Sequence, residues 1–415
     1  MEALAPTTRN PAQLPLTAAL RKRIARDFTP RWETTWGGKF VLHGRHPGPD
    51  AVRLDGNDYL AVTGHPDVTA AQIRSLKRQT EFVVQSGVFL LSQHPARELE
   101  ASLAAWVGKD DAFLCQSGYT ANGGLLQAIA DADTPVYLDS LAHASLWEGA
   151  HAARAPAFAF RHNDPGHLER LVQKKGPGVV VVDSVYSTTG ALCPLRRMVE
   201  VAEQHGCMIV VDESHSLGTH GPAGAGLCAR EGLTDRVHFI SASLAKAVAG
   251  RAGFFTAPAA LRYHILSSSY PNIFSSCLLP SEVAGLRATV AVLQRADAQR
   301  LRLLQVTQRL RQALSGLGYP IHQGSEQIIS LEAGSEPDTM LLRDHLEARG
   351  VFGAVFCAPA TSRNRAMVRL TLNAALTDAE LDHVAAVARE IAPLVKPWDW
   401  PIARRARAAA ISCPE

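Results

Sequence analysis

The sequence predicts an α/β protein built on a mostly parallel sheet, followed by a smaller α+β unit. Three observations carry this expectation. Short apolar, β-branched runs recur through the middle of the chain. Helix-like stretches separate them, and strand alternating with helix implies a parallel sheet. After Pro280 the rhythm changes.

Taken in order, the first 17 or so residues are rich in Pro, Thr and Ala and are expected to fray. The apolar runs are Asp111–Cys115, Val136–Leu138, Val179–Val182, Met208–Val211 and Val237–Ile240. Such runs suit strands buried on both faces. The clearest helix is Pro194–His205. Proline stands where a first helical residue tolerates it, and Gly206 follows where a left-handed stop is needed. Beyond Pro280, Ser281 to about Leu317 reads as one long helix, ended by Gly316, Gly318 and Pro320. A strand at Gln327–Leu331, a helix at Thr339–Arg349 before Gly350, a strand at Met367–Leu372 and a helix at Asp378–Val395 complete the small unit. The expected organisation is an N-terminal segment 1–55, a large domain 56–295, a small domain 296–400 and a tail 401–415 whose basic cluster reads as a solvated end.

The 415 residues allow two or three domains. With 47% hydrophobic and 20% charged residues the composition is globular. A net charge of +3 gives no concentrated basic field for nucleic acid. No apolar run reaches the ~18–20 residues of a membrane span. The N-terminus lacks the basic-then-apolar order of a secretory signal. Seven scattered cysteines (Cys115, Cys193, Cys207, Cys228, Cys277, Cys357, Cys413) form no C-x-x-C pair, which argues against a structural zinc and a disulfide framework. A reduced, cytoplasmic protein without a metal site is expected.

In open parallel sheets, ligands bind at the carboxyl ends of the strands. Each predicted strand ends in polar or ionisable residues. They are Gln116-Ser117-Gly118-Tyr119, Asp139-Ser140 with His143, Asp183-Ser184-Val185-Tyr186-Ser187, Asp212-Glu213-Ser214-His215, and Ser241 to Lys246. Ser-Gly-Tyr at a helix start suits a phosphate. A strand-end carboxylate can hold a protonated ring nitrogen, a histidine can stack on a planar ring, and a lysine can form a Schiff base with an aldehyde. Aldehyde, pyridine ring and phosphate together describe pyridoxal 5′-phosphate. Singly the signals are weak. Asp-Glu-Ser-His also matches a helicase box, but no G-x-x-x-x-G-K-[ST] loop accompanies it. Gly218, Gly221, Gly224 and Gly226 lack the dinucleotide-binding order and read as a tight structural loop.

Over most of its length, from Asn57-Asp58-Tyr59-Leu60 to Arg369-Leu370-Thr371-Leu372, the chain resembles the α-oxoamine synthases. These are fold-type I pyridoxal-phosphate enzymes that join an amino acid to an acyl-CoA with loss of CO₂. The motifs that carry the resemblance are Ser117-Gly118-Tyr119-x-Ala121-Asn122, Asp212-Glu213-x-His215-Ser216-x-Gly218 and Ser243-x-x-Lys246-Ala247. Four further stretches resemble the branch that makes α-aminoketone and α-hydroxyketone quorum-sensing signals: 142–150, 182–188, 212–227 and 351–362.

The resemblance implies a seven-stranded, mostly parallel sheet and a homodimer with its active site at the subunit interface. It implies that Lys246 carries the cofactor and moves protons at the substrate α-carbon. Asp212 faces the pyridine nitrogen, His143 stacks on the ring, and His215, with Ser187 nearby, serves the ring hydroxyl. Ser117, Gly118, Tyr119 and Ser243 cradle the phosphate, joined by Ser275 and Ser276 from the neighbouring subunit. Arg369, helped by Asn57, clamps the substrate carboxylate. Plainer readings are a helix cap for Ser275 and Ser276, a turn for Asn57 and a surface strand position for Arg369. The chain departs from the family pattern at Ala249-Gly250-Arg251-Ala252-Gly253, at Asn373-Ala374-Ala375-Leu376 and at Gln85–Leu90. These departures fit a remodelled acyl or amino-acid pocket. Implied substrates are a medium- to long-chain acyl-CoA and 2-aminobutyrate or S-adenosylmethionine. The rivals are 8-amino-7-oxononanoate synthase or another member of the family, and a non-catalytic module of the same fold.

Overall fold

The structure is a computed structural model. It describes residues 16–78, 85–321, 324 and 327–404. Eleven strands occur among them: β1 Val52–Leu54, β2 Asp111–Cys115, β3 Val136–Asp139, β4 Ala157–Phe160, β5 Val179–Asp183, β6 Met208–Asp212, β7 Phe239–Ser243, β8 Gly253–Ala257, β9 Ile328–Gly334, β10 Val351–Phe356 and β11 Ala366–Thr371. Seven form one sheet in the order β2-β8-β7-β6-β5-β3-β4. Strands β7, β6, β5, β3 and β4 run parallel, and β8 is antiparallel to both of its neighbours. Four form a second sheet, β1-β10-β11-β9.

The centre of the large sheet is buried on both faces because β3, β5 and β6 are apolar at every position before their closing aspartates. In β5, Val179 and Val181 enter one hydrophobic cluster while Val180 and Val182 enter the other. The same split separates Val210 from Ile209 and Val211 in β6. Successive side chains point to opposite faces, so a continuous apolar run serves two cores at once.

The fold is the expected one, with local corrections. The predicted helix from Ser281 to Leu317 is two helices, Pro280–Leu293 and Asp297–Gly316. Neither Gly nor Pro marks the break. The Arg300 guanidinium, paired with Asp297, donates to the Leu293 carbonyl at 2.8 Å, which also accepts from the Ala296 N–H at 3.1 Å. The last predicted strand of the large sheet is shifted and reads Phe239–Ser243. Its polar half is tolerated inside because Ser241 Oγ donates to Asn122 Oδ1 at 2.6 Å. Strands β4 and β8 escaped the apolar-run reading: β4 is short and only partly buried, and β8 begins with glycine. Pro194 stands one position before the helix Leu195–Gln204, and Gly206 adopts φ +66° after it, as the stop requires. The expected fraying of the first residues, most of the basic tail and Cys413 fall largely outside the described residues.

Candidate active site

Five carboxyl ends of the large sheet, those of β2, β3, β5, β6 and β7, converge, and the local sequence explains how. Ser117 caps the helix Gly118–Ile129: its Oγ accepts from Thr120 N at 3.1 Å, and Thr120 Oγ1 accepts from Ser117 N at 3.1 Å. The chain here approaches two other segments without room for side chains. A Cβ on Gly118 would lie 2.5 Å from Ser243 Cβ, and one on Gly253 would lie 2.4 Å from Gly118 N. Ser117, Gly118 and Ser243 therefore form one tight cradle beneath a helix N-terminus, which suits a phosphate. Tyr119 stands at its open edge, half-exposed, with its ring edge-on to His143 at 6.5 Å.

Asp212 ends β6 and is 3% exposed. Asn122 Nδ2 donates to it at 2.7 Å and Ser214 N at 2.8 Å. Both hydrogen-bond donors are neutral, which leaves this buried carboxyl open to a cationic partner. His143 caps the helix Ala144–Ala152, its Nδ1 accepting from Ser145 N, while its own backbone N–H donates to Asp183 Oδ2 at 3.0 Å. Burial pushes its imidazole below the ordinary range; Lys246 acts in the same sense and Asp212 opposes it. Lys246 follows the Ser243 cradle. Burial and the Arg369 guanidinium lower its ammonium pKa, against the pull of Asp212. The environment thus shifts Lys246 toward the free amine, the form that attacks an aldehyde.

His215 is 4% exposed and lies 2.5 Å from Tyr59 Oη through its Nδ1. Burial, with Lys246, Arg369 and His143 close by, holds it neutral. Burial also raises Tyr59, so the phenol keeps its proton; the nearer acceptor for it is His215 Nδ1, with Asn57 Oδ1 farther off at 3.4 Å. Nδ1 is then the acceptor, which assigns the imidazole proton to Nε2 and leaves a donor for a ring oxygen.

Arg369 lies on β11 and is 4% exposed. Nη1 donates to the Ser187 carbonyl at 2.8 Å and Nη2 to Asn57 Oδ1 at 3.0 Å, over the Phe356 ring at 4.5 Å. Its Nε, also buried, is without a partner. A buried guanidinium held by neutral groups suits a carboxylate. Arg369 is therefore not a surface strand residue, and Asn57 does more than turn the chain. Ser187 meets this group through its backbone; its side chain has no hydrogen bond to His215 among the described contacts. Ser275 and Ser276 stand apart. Ser275 Oγ donates to the Pro271 carbonyl at 2.6 Å, and Ser276 bridges Ser86 and accepts from the Gln116 amide. Neither caps the helix that begins at Pro280, whose N-cap position is Leu279.

Beside His143 and Ser187 opens a cleft of about 390 Å³. Its large-sheet wall carries Leu141 and Trp147; its small-sheet wall carries Phe356, Thr361, Arg365 and Met367. Tyr59, Asn122 and Phe356 were not assigned roles from sequence. Asn122 was findable: it lies four residues after Gly118, on the same face of that helix.

The residues fit pyridoxal phosphate: a cradle closed to a Cβ at Gly118 and Gly253, a buried carboxyl whose hydrogen-bond donors are neutral, a neutral histidine with an Nε2 donor, and a lysine whose pKa burial lowers. Among the described residues no His, Cys, Asp or Glu group is placed to hold a metal ion, and no helix is long and apolar enough to cross a membrane.

Comparison with known proteins agrees. The aminotransferase class I and II family matches residues 49–387. The CAI-1 autoinducer synthase of Vibrio campbellii is 44% identical over 352 residues, covering 85% of this chain and 89% of that protein. An 8-amino-7-oxononanoate synthase of Anaeromyxobacter dehalogenans is 32% identical, covering 84% and 89%. Serine palmitoyltransferase from S. paucimobilis superposes with a TM-score of 0.83 at 25% identity, over 92% of this chain and all of that one. The chain belongs to the aminotransferase class I and II family and, within it, to the pyridoxal-phosphate-dependent, acyl-transferring α-oxoamine synthases.

Proposed function

We propose that the protein condenses a medium- to long-chain acyl-CoA with 2-aminobutyrate or S-adenosylmethionine, releasing CoA and CO₂. The product is an α-aminoketone, the precursor of an α-hydroxyketone quorum-sensing signal. The observation that carries this reading is the 44% identity to an autoinducer synthase across 85% of the chain, against 32% to an 8-amino-7-oxononanoate synthase.

Bound pyridoxal phosphate supplies an aldehyde for an amine and a ring that accepts an electron pair. The chain's residues do the rest. Arg369 and Asn57 bind the substrate carboxylate and orient the α-carbon. The Lys246 Nζ takes the proton from that carbon and returns one after CO₂ leaves. The Asp212 carboxylate keeps a ring nitrogen protonated, and His143 covers one ring face. His215 donates from Nε2, and Ser117, Gly118, Tyr119 and Ser243 hold the phosphate.

Ser275 and Ser276 complete the neighbouring subunit's phosphate site in a homodimer. Exposed Phe89, Tyr270 and Phe274 around them supply apolar surface for that contact. In this reading residues 56–295 are the cofactor-binding domain, 296–400 the small domain, and the enzyme is cytoplasmic.

The test is CoA release by purified holoenzyme with decanoyl-CoA and glycine, alanine, serine, 2-aminobutyrate or S-adenosylmethionine, with the ketone identified by mass spectrometry. Turnover with either of the last two and little with alanine supports the proposal. Preference for alanine moves the protein to 8-amino-7-oxononanoate synthesis. A protein that gains no visible absorbance with pyridoxal phosphate would be a non-catalytic module.

A further inference from the structure

We infer that Arg31 is a positioning residue for acyl-donor binding: from behind the cleft, it fixes the wall formed by the loop between β10 and β11. This inference rests on the acyltransferase reading above.

The wall is the nine-residue loop 357–365, flanked by Phe356 and Met367. Pro359, Ala360, Thr361 and Ser362 face the cleft. Within the loop the backbone contacts are local: Thr361 N donates to the Cys357 carbonyl at 3.2 Å and Arg365 N to the Ser362 carbonyl at 3.1 Å. The far end is pinned by Arg365, whose guanidinium pairs with buried Glu332 at 2.7 Å.

The near end is held from outside the small sheet. Arg31 Nη2 donates to the Ala358 carbonyl at 3.0 Å and pairs with Glu336 Oε1 at 2.6 Å. The other Glu336 oxygen accepts from Trp36 Nε1 at 2.7 Å. The Arg31 guanidinium lies 4.7 Å from the centre of the Trp36 ring. Trp36 in turn packs with Val41, Cys357 and Ala366 in a small buried cluster. One arginine thus ties three elements together: the N-terminal segment, the first turn of the helix Glu336–Glu347 and the cleft loop.

The chemistry of the contact is specific. A guanidinium can donate to a carboxylate and a carbonyl at once while stacking on an indole, and an ammonium cannot match that geometry. The apolar cluster holds the two ends of the loop, at Cys357 and Ala366. Arg31 adds a polar tether at Ala358, immediately before the residues that line the cleft. Among the described contacts, none of its partners meets Lys246, Asp212, His143 or His215. Its effect is therefore expected on the cleft, which His143 borders, rather than on cofactor binding.

The experiment compares holoenzyme with Arg31→Ala, Arg31→Lys and Glu336→Gln variants, the last weakening the same contact from its other side. Steady-state kinetics with decanoyl-CoA should show the acyl-CoA KM raised about tenfold in Arg31→Ala, with kcat within about twofold. Arg31→Lys should fall between, and cofactor affinity should be unchanged in all. Limited trypsinolysis gives a readout independent of substrate. Arg363 is exposed in the loop, and cleavage after it should be several-fold faster in Arg31→Ala and Glu336→Gln. Equal cleavage rates and an unchanged KM would overturn the inference. So would a loss of cofactor affinity equal to the KM effect, which would mark a general structural role. If the wild type turns over no acyl-CoA, the acyltransferase reading fails, and the cleavage rates still decide whether Arg31 fixes the loop.

Discussion

The two halves of the site are built differently. The large-sheet half is made of residues at or just beyond strand ends: Ser117 after β2, Asp212 closing β6, Ser243 closing β7 and Lys246 three positions further. Asp212 is buried and Ser117, Ser243 and Lys246 are partly so, and Ser214 links Asp212 to Ser243 through its backbone N–H and its hydroxyl. The small-sheet half is assembled from Asn57, Ser187, Phe356, the 357–365 loop and Arg369, segments up to about three hundred residues apart, around an open cleft. In the proposed reading the first half frames the cofactor, and the second is where substrate choice resides.

The sharpest way to break this division is at Lys246. Lys246→Ala should lower turnover by about a thousandfold or more, since no neighbouring amine replaces it. The variant should still bind pyridoxal phosphate through the Ser117–Gly118–Ser243 cradle, measured by equilibrium dialysis. Loss of binding along with activity would show that the frame is not preorganised. Arg369→Lys comes next. A lost two-point carboxylate contact costs about 2–3 kcal/mol, so the KM for the amino substrate should rise roughly 30- to 150-fold with the cofactor spectrum unchanged.

Asp183→Asn is expected to be milder. The Asp183 carboxyl accepts the His143 N–H at 3.0 Å and lies beside Asp212 in register. Burial and Asp212 raise its pKa well above the usual range. An amide oxygen can keep the acceptor role, so activity should fall by less than about tenfold. Asp183→Ala, which frees the His143 backbone, should fall further.

The smallest effect concerns pH. His215 is neutral in the fold and titrates near 6.5 when unfolded, so its contribution to stability is lost as pH falls below about 6.5. Glu100, whose carboxyl burial lifts to about 7, opposes it: folding is favoured while that group is protonated, and this is lost as pH rises from about 4.5 through 7. The prediction is therefore a difference. Urea midpoints of the apoprotein at pH 7 and 5.5 should fall less on acidification in His215→Gln than in wild type. An equal fall in both would contradict the neutral assignment.

The same division explains what could be read from the sequence. The apolar runs of β5 and β6 announce strands buried on both faces, and their polar ends announce a site. Lys246, Asp212 and His143 were legible because each follows a strand at short range. The resemblance extended that reading to Arg369 and Asn57, whose meeting no local pattern could reveal. Tyr59 was hidden for the same reason: its hydroxyl acts on His215, 156 residues away. Arg31 had no signal at all, because its partners Glu336 and Ala358 lie more than 300 residues on. The break at Gln294–Ala296 was invisible because a side chain, Arg300, does the capping that glycine usually does.

The most direct test of the account is deuterium exchange at the α-carbon of 2-aminobutyrate in D₂O, by holoenzyme without any acyl donor, followed by NMR. Exchange is expected in wild type and in Arg31→Ala at similar rates, and none above background in Lys246→Ala. Exchange that persists without Lys246, or its absence in wild type while CoA is released normally, would contradict the assignment of Lys246 as the group that moves that proton.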